Sequence, residues 1–239
     1  MTGRDERADG MTGTAPQVGR IARLLEVDPV EVRGLDVVPP DELRRLHDQI
    51  SHVLFADGRV RFARVASLSK TLPAPVCGKL AELFLPAAIA ARVAELLEPD
   101  KARDLVTRVS VRYLADISMV LDPVRSRPVL RAIPPTRIGE VARELFRRGE
   151  YTAMAEFAGV IDVEALFAAL GAATPRDLLE LVPLLEWNPN LDHVVGNLPD
   201  AQVARIVAEL SPPDLTRLAE LLPEGTEIRS VIGERLESA

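Results

Sequence analysis

Large apolar residues recur close to every twelve positions through the middle of the chain: Leu85, Leu97, Val109, Leu121, Ile133, Leu145 and Phe157. After a slip of one residue comes Leu170, and later Leu198, Leu210 and Leu222. Around these positions the apolar residues fall at helical spacing. Ile89, Val93, Leu96 and Leu97 stand at i, i+4, i+7 and i+8. Ile138, Val141, Ala142 and Leu145 stand at i, i+3, i+4 and i+7, as do Val203, Ile206, Val207 and Leu210. One apolar stripe per segment predicts amphipathic helices of about eight or nine residues, each about 13 Å long, separated by turns that reverse the chain.

Prolines mark the same rhythm at twice the step. Pro75, Pro99 and Pro123 lie 24 residues apart, and so do Pro175, Pro199 and Pro223. Two short helices per 24 residues predict an all-α architecture, an α-solenoid of antiparallel hairpins, because one such hairpin cannot bury its apolar face alone. In Thr174-Pro175-Arg176-Asp177 and Ser211-Pro212-Pro213-Asp214 a hydroxyl stands ready to cap free amides, proline takes the first helical position, and an acid faces the positive helix end. Asp122-Pro123, and Asp28-Pro29 with Glu31, have the same form.

The pattern is looser before residue 68. It predicts short helices at about 17–26, 29–34 and 40–55, a turn at Asp57-Gly58, and a further helix at about 60–69. The expected organisation is a disordered tail over 1–16, an atypical helical cap over 17–67, and a helical-repeat domain over 68–239 with an irregular junction near 149–162.

Composition narrows the class. Aromatic residues make up 4% against 47% hydrophobic residues in all, so the core is aliphatic and alanine-rich, which suits closely packed helices. The single cysteine, Cys77, excludes an intrachain disulfide and a cysteine-based zinc site. No stretch has the apolar length of a secretory signal or a membrane span, so a cytoplasmic chain without membrane insertion is expected. Charge is segregated: Lys and Arg against Asp and Glu number 13 to 15 over residues 1–100, 11 to 5 over 101–148, and 5 to 16 over 149–239. Such polarity steers partners and favours self-association.

The phrase LPAAIAARVAELLEPDKARDLVTRV, echoed by IPPTRIGEVARELF and LPDAQVARIVAELSPPDLTRLAELLP, resembles the intracellular amino-terminal domain of the magnesium transporter MgtE. The matching positions are Leu85 and Pro86, Leu198 and Pro199, and Leu210 with Pro212. The helical repeats of the flagellar motor switch protein FliG are a more distant likeness. The resemblance covers roughly residues 68–225. It implies a right-handed superhelix and, as an alternative function, divalent-cation (magnesium) sensing or regulation. The membrane pore and paired regulatory domains of the transporter have no counterpart in the residues after Leu222, so transport itself is not implied.

Candidate chemistry is sparse. His47, Asp48 and His52 are close in sequence, but residues five apart on a helix diverge by roughly 140°, so they are read as surface groups rather than a metal site. The partner-binding candidates are Arg125, Arg127 and Arg131 in the basic block, which also holds Arg137, Arg143, Arg147 and Arg148, together with Trp187 and His193 in an interrupted polar turn. The blander reading of that turn has Trp187 closing a gap between helices and Asn188 capping the next one. Asp177, Glu180, Glu186, Asp192 and Asp214 would hold a cation only if adjacent hairpins brought them together. No catalytic residue, cofactor site or metal site is assigned. Ser67, Ser69 and Cys77 lack a glycine elbow or paired histidine, and nucleic-acid binding is disfavoured by acidity and missing aromatic interleaving. The expectation is a non-enzymatic interaction or scaffold module with an unidentified protein partner.

Overall fold

Every regular element among the described residues of the computed structural model is helical. Described are residues 17–237 apart from Arg23 and Glu26; for Asp48, Ser51, His52, 54–61 and 68–71 the backbone alone is described. The tail expected over 1–16 and the side chains of Asp48 and His52 lie outside the described residues. The chain divides into two units, Met1–Ser67 and Leu68–Ala239.

In the first unit, helix α1 (17–22) and the start of α2 (Pro40–Thr71) flank a turn and a 3-10 segment, Arg33–Val37. Val18, Ile21 and Leu43 form its core, with Val32, Leu35, Val38, Leu46 and Ile50 packed against them. Three expectations are corrected here. Residues 29–34 form turn and 3-10 structure rather than a helix, set by Asp28, whose Oδ1 accepts the Val30 N–H at 2.9 Å while its own N–H donates to Glu31 at 3.2 Å. No turn forms at Asp57-Gly58, where α2 runs through unbroken; a glycine costs a helix interior about 1 kcal/mol relative to alanine, too little to break a helix of 32 residues. His47 is not a surface group: it is buried, with 9% of its area exposed.

The second unit is built of short helices: α3 (Ala74–Phe84), α4 (Ala87–Ala94), α5 (Pro99–Val106), α6 (Val111–Ser118), α7 (Arg127–Leu130), α8 (Pro135–Arg148), α9 (Tyr151–Ala158), α10 (Val163–Gly171), α11 (Pro175–Leu181), α12 (Pro189–Val195), α13 (Asp200–Glu209), α14 (Pro212–Leu221) and α15 (Glu227–Glu237). Pro75, Pro99, Pro175 and Pro199 sit at the starts of α3, α5, α11 and α13, where the missing N–H is one that no helix could satisfy. Thr174 and Asp177 close a reciprocal capping box on α11, and Ser110, Asp162, Asn188 and Ser211 cap α6, α10, α12 and α14.

Most helices pack on the helix two places along, whereas α14 packs on α15 and α11, and α8 also meets α9. α3 packs on α5 and α5 on α7; α9 packs on α11, α11 on α13 and α13 on α15. Among even-numbered helices, α4 packs on α6, α6 on α8, α8 on α10 and α10 on α12. A continuous core from Ala91 to Ile232 runs through them, with Leu166, Leu191, Ile206, Leu218 and Ile232 almost wholly buried. The tightest approach joins α8 to α10. A Cβ at Gly139 would lie 2.9 Å from the Ala168 carbonyl oxygen, so only glycine lets the backbones meet. α8 ends in a left-handed Gly149 (φ 74°), with the Glu150 N–H on the Leu145 carbonyl and the Gly149 N–H on that of Phe146, a Schellman closure.

Carbonyl groups at the ends of these short helices receive side chains from three helices further on. The Tyr113 hydroxyl on α6 lies 2.8 Å from the Leu85 carbonyl oxygen and 3.0 Å from that of Ala81, at the end of α3. Arg137 on α8 donates through Nε to the Val106 carbonyl at 3.1 Å and through Nη2 to that of Val109, beyond α5. Gln202 and Arg205 on α13 donate to the Leu170 and Ala173 carbonyls at the end of α10. Burial, reinforced by Glu82 and Asp116, pushes the Tyr113 phenol up to about 12, so it keeps the proton it donates.

Two measurements check this reading. Arg137→Ala should cost about 1–2 kcal/mol in urea unfolding, with Arg143→Ala, an exposed arginine of the same helix, staying within about 0.5 kcal/mol. Gly139→Ala should cost about 1–3 kcal/mol by forcing α8 off α10.

Candidate functional site

Arg125, Arg127 and Arg131 of the basic block lie in the turn before α7, at its start and at its C-cap. Asp122 shapes that turn: its Oδ1 accepts the N–H groups of Val124 at 3.0 Å and Arg125 at 3.1 Å, and its Oδ2 lies 3.5 Å from Arg125 Nε. Pro123 and Ser126 are fully buried in the turn. α7 then buries Val129 and Leu130, which leaves Arg127 and Arg131, one helical turn apart, exposed to solvent.

Beneath this turn lies a buried polar cluster. At the end of α4, Arg92 Nη1 donates to Glu95 Oε1 at 2.9 Å, and the Glu95 side chain is 1% exposed. Its second oxygen, Oε2, and the Ser126 hydroxyl are both buried without a hydrogen-bond partner. Burial raises the affinity of Glu95 for its proton; Arg92 opposes that, Asp122 adds to it, and Arg125 opposes it. Two carboxylates and two guanidiniums therefore share one small region. Its distinctive chemical property is a carboxyl that protonates above the ordinary glutamate range.

Four other arginines of the block have structural partners, whereas Arg108, Arg112 and Arg143 are exposed with no side-chain partner among the described residues. Arg103 donates to the Ala132 carbonyl at 3.0 Å, and Arg137 serves the carbonyls of Val106 and Val109. Arg147 and Arg148 both grip Glu144 at 2.7–2.8 Å, and Arg148 also reaches Asp116 and the Arg112 carbonyl. Hydrogen bonds from Arg147 and then Arg148 pull the Glu144 carboxyl down to about 2. Arg125 is held by Asp122, so of the three arginines singled out in the sequence only Arg127 and Arg131 stand free.

The second candidate region divides in the same way. Trp187 is half-buried and packs against the main core, and Asn188 caps α12 by accepting the Asn190 and Leu191 N–H groups at 3.0 and 3.2 Å. His193 is exposed in the last turn of α12, where its carbonyl accepts from Asn197. Trp187 thus packs against the core, and His193 faces water. Of the acidic residues, Asp177 accepts from Thr174 and Tyr151, and Asp214 accepts from Ser211. Among the described residues no three His, Cys, Asp or Glu gather as metal ligands, and no helix is long and apolar enough to cross a membrane. Glu95 and Ser126 were missed in the sequence; the one signal was an arginine three residues before a glutamate at the end of an apolar stripe.

No protein-family model matches this chain, and no match exists among curated proteins or solved structures.

Glu95→Gln tests the electrostatics of the cluster. Because the folded carboxyl has a raised pKa, its charged form costs stability above that pKa, and the cost disappears as pH falls toward the unfolded value. Thermal melts should show the variant gaining on the parent at pH 7, with the gap closing as pH falls to about 4.5.

Proposed function

We propose that this chain is a non-enzymatic helical-repeat protein of the cytoplasm, an α-solenoid related to MgtE-type amino-terminal domains, that binds an acidic protein surface through α7. The observation that carries the binding role is the contrast within one basic block. Arg103, Arg125, Arg137, Arg147 and Arg148 are tied to carbonyls or carboxylates, whereas Arg127 and Arg131 project one turn apart on one short helix with no partner among the described residues. Two rigidly mounted guanidiniums recognise carboxylates bidentately and at low entropic cost, and the buried Val129 and Leu130 fix the helix that bears them.

The solenoid reading is supported by the packing of helices two places apart and by the starts of the odd-numbered helices, at residues 74, 99, 127, 151, 175, 200 and 227, which keep close to the proline rhythm. Trp187 and His193 belong to a scaffold role in this reading, one in the core and one on the surface.

Affinity capture with the full chain tests the proposal. The Arg127→Glu/Arg131→Glu double variant should keep its circular dichroism and lose a partner held at physiological salt by tenfold or more. Equal retention by parent and variant, or no partner at any salt concentration, would reject the α7 surface.

A further inference from the structure

Glu95 ends α4 with its side chain 1% exposed; Oε1 takes the Arg92 hydrogen bond, and Oε2 has no hydrogen-bond partner among the described residues. A buried, ionised oxygen with nothing bonded to it is the costly form of a carboxyl, and losing the charge relieves most of that cost. The charged groups that act on Glu95 are Arg92 on its own helix and Asp122 and Arg125 in the turn before α7. From α6, on which α4 packs, the charged side chains are Arg112, which is exposed, and Asp116, which is held by Arg148.

The turn above Glu95 is unevenly bonded. Asp122 Oδ1 holds the Val124 and Arg125 N–H groups at 3.0 and 3.1 Å, whereas Oδ2 stands 3.5 Å from Arg125 Nε. An unopposed guanidinium–carboxylate bond closes to about 2.7–2.9 Å. Arg125 thus pairs with Asp122 at a slack distance while Glu95 attracts it too. Ser126, which heads α7, makes no side-chain cap bond, and its buried hydroxyl is unpartnered, so the turn keeps bonding capacity that a tighter arrangement can use.

We propose that Glu95 is a proton-operated control on the mount of α7: charged, it draws Arg125 off Asp122 and leaves the turn slack, and neutral, it releases Arg125 to Asp122 and the turn closes. Burial sets this change above the ordinary glutamate range, so it occurs while exposed carboxylates keep their charge. The same protonation removes a negative charge from beneath Arg127 and Arg131. A stiffer mount loses less freedom on binding and a more positive field attracts acids, so both effects strengthen the hold of α7 on an acidic surface as pH falls. That output rests on the α7 binding surface proposed above; the closing of the turn does not.

Amide hydrogen exchange, read by NMR on the full chain, tests the turn without a partner. At about pH 7.5 the Val124 and Arg125 amides should exchange about threefold more slowly in Glu95→Gln, which is always neutral, than in the parent, and the difference should vanish as pH falls to about 4.5. In an Arg125→Gln background, Glu95→Gln should change nothing at these amides. The output is read by the anisotropy of a fluorescein-labelled octa-aspartate peptide, whose carboxyls stay mostly charged above about pH 5. The parent should bind it about threefold more tightly at about pH 5.5 than at about pH 7.5, and Glu95→Gln should bind it equally at both. Amides indifferent to Glu95→Gln, or a response that survives Arg125→Gln, would overturn the proposal. A peptide held through Arg127 and Arg131 equally well at both pH values would overturn the control while the α7 surface stands. Responding amides with no peptide bound would instead overturn the α7 surface and support the control within the turn.

Discussion

An eight-residue helix satisfies few of its own backbone groups. Four N–H groups at one end and four carbonyls at the other lack partners within the helix, so in α4, α5, α6 and α9 the orphaned groups are as numerous as the residues. The chain meets this constraint asymmetrically. Amide ends are served locally, by Ser110, Asp162, Thr174, Asn188 and Ser211, or by prolines that have no N–H to satisfy. Carbonyl ends are served from a distance, by Tyr113, Arg137, Gln202 and Arg205 reaching back from three helices on. Burial of the apolar stripes thus depends on helices two places along, and hydrogen bonding of the carbonyl ends on helices three places along.

That economy gives the basic block its meaning. Arg137 and Arg103 are structural donors with fixed acceptors, Arg147 and Arg148 lock Glu144, and Arg125 steadies the turn at Asp122. Below the turn, Glu95 and Ser126 retain unmet hydrogen-bonding capacity in a buried setting, an arrangement that costs stability and that apolar residues would avoid. The free cations of α7 sit directly above this expensive foundation.

Much of this architecture was legible in the sequence, and the reason is local. Helical spacing, proline at helix starts and the capping pairs Thr174/Asp177 and Ser211/Asp214 are set by residues within a few positions of one another. Asp57-Gly58 misled because turn chemistry is weak beside the cooperativity of a 32-residue helix, and His47 because its burial depends on contacts distant in sequence. The site was harder to read. Arg131 and Arg137 look alike in sequence, yet one is free and the other reaches carbonyls 28 and 31 residues away. Only the packing of helices separates them.

The reach of these side-chain bonds has a consequence for how the protein comes into being. Tyr113, Arg137, Arg148, Gln202 and Arg205 find their carbonyl acceptors 28 to 36 residues upstream, whereas Arg103 reaches 29 residues downstream to Ala132. During synthesis, therefore, α3 acquires its closure as soon as α6 has left the ribosome, and α5 as soon as α8 has done so. Assembly can follow translation step by step, without waiting for the carboxyl end.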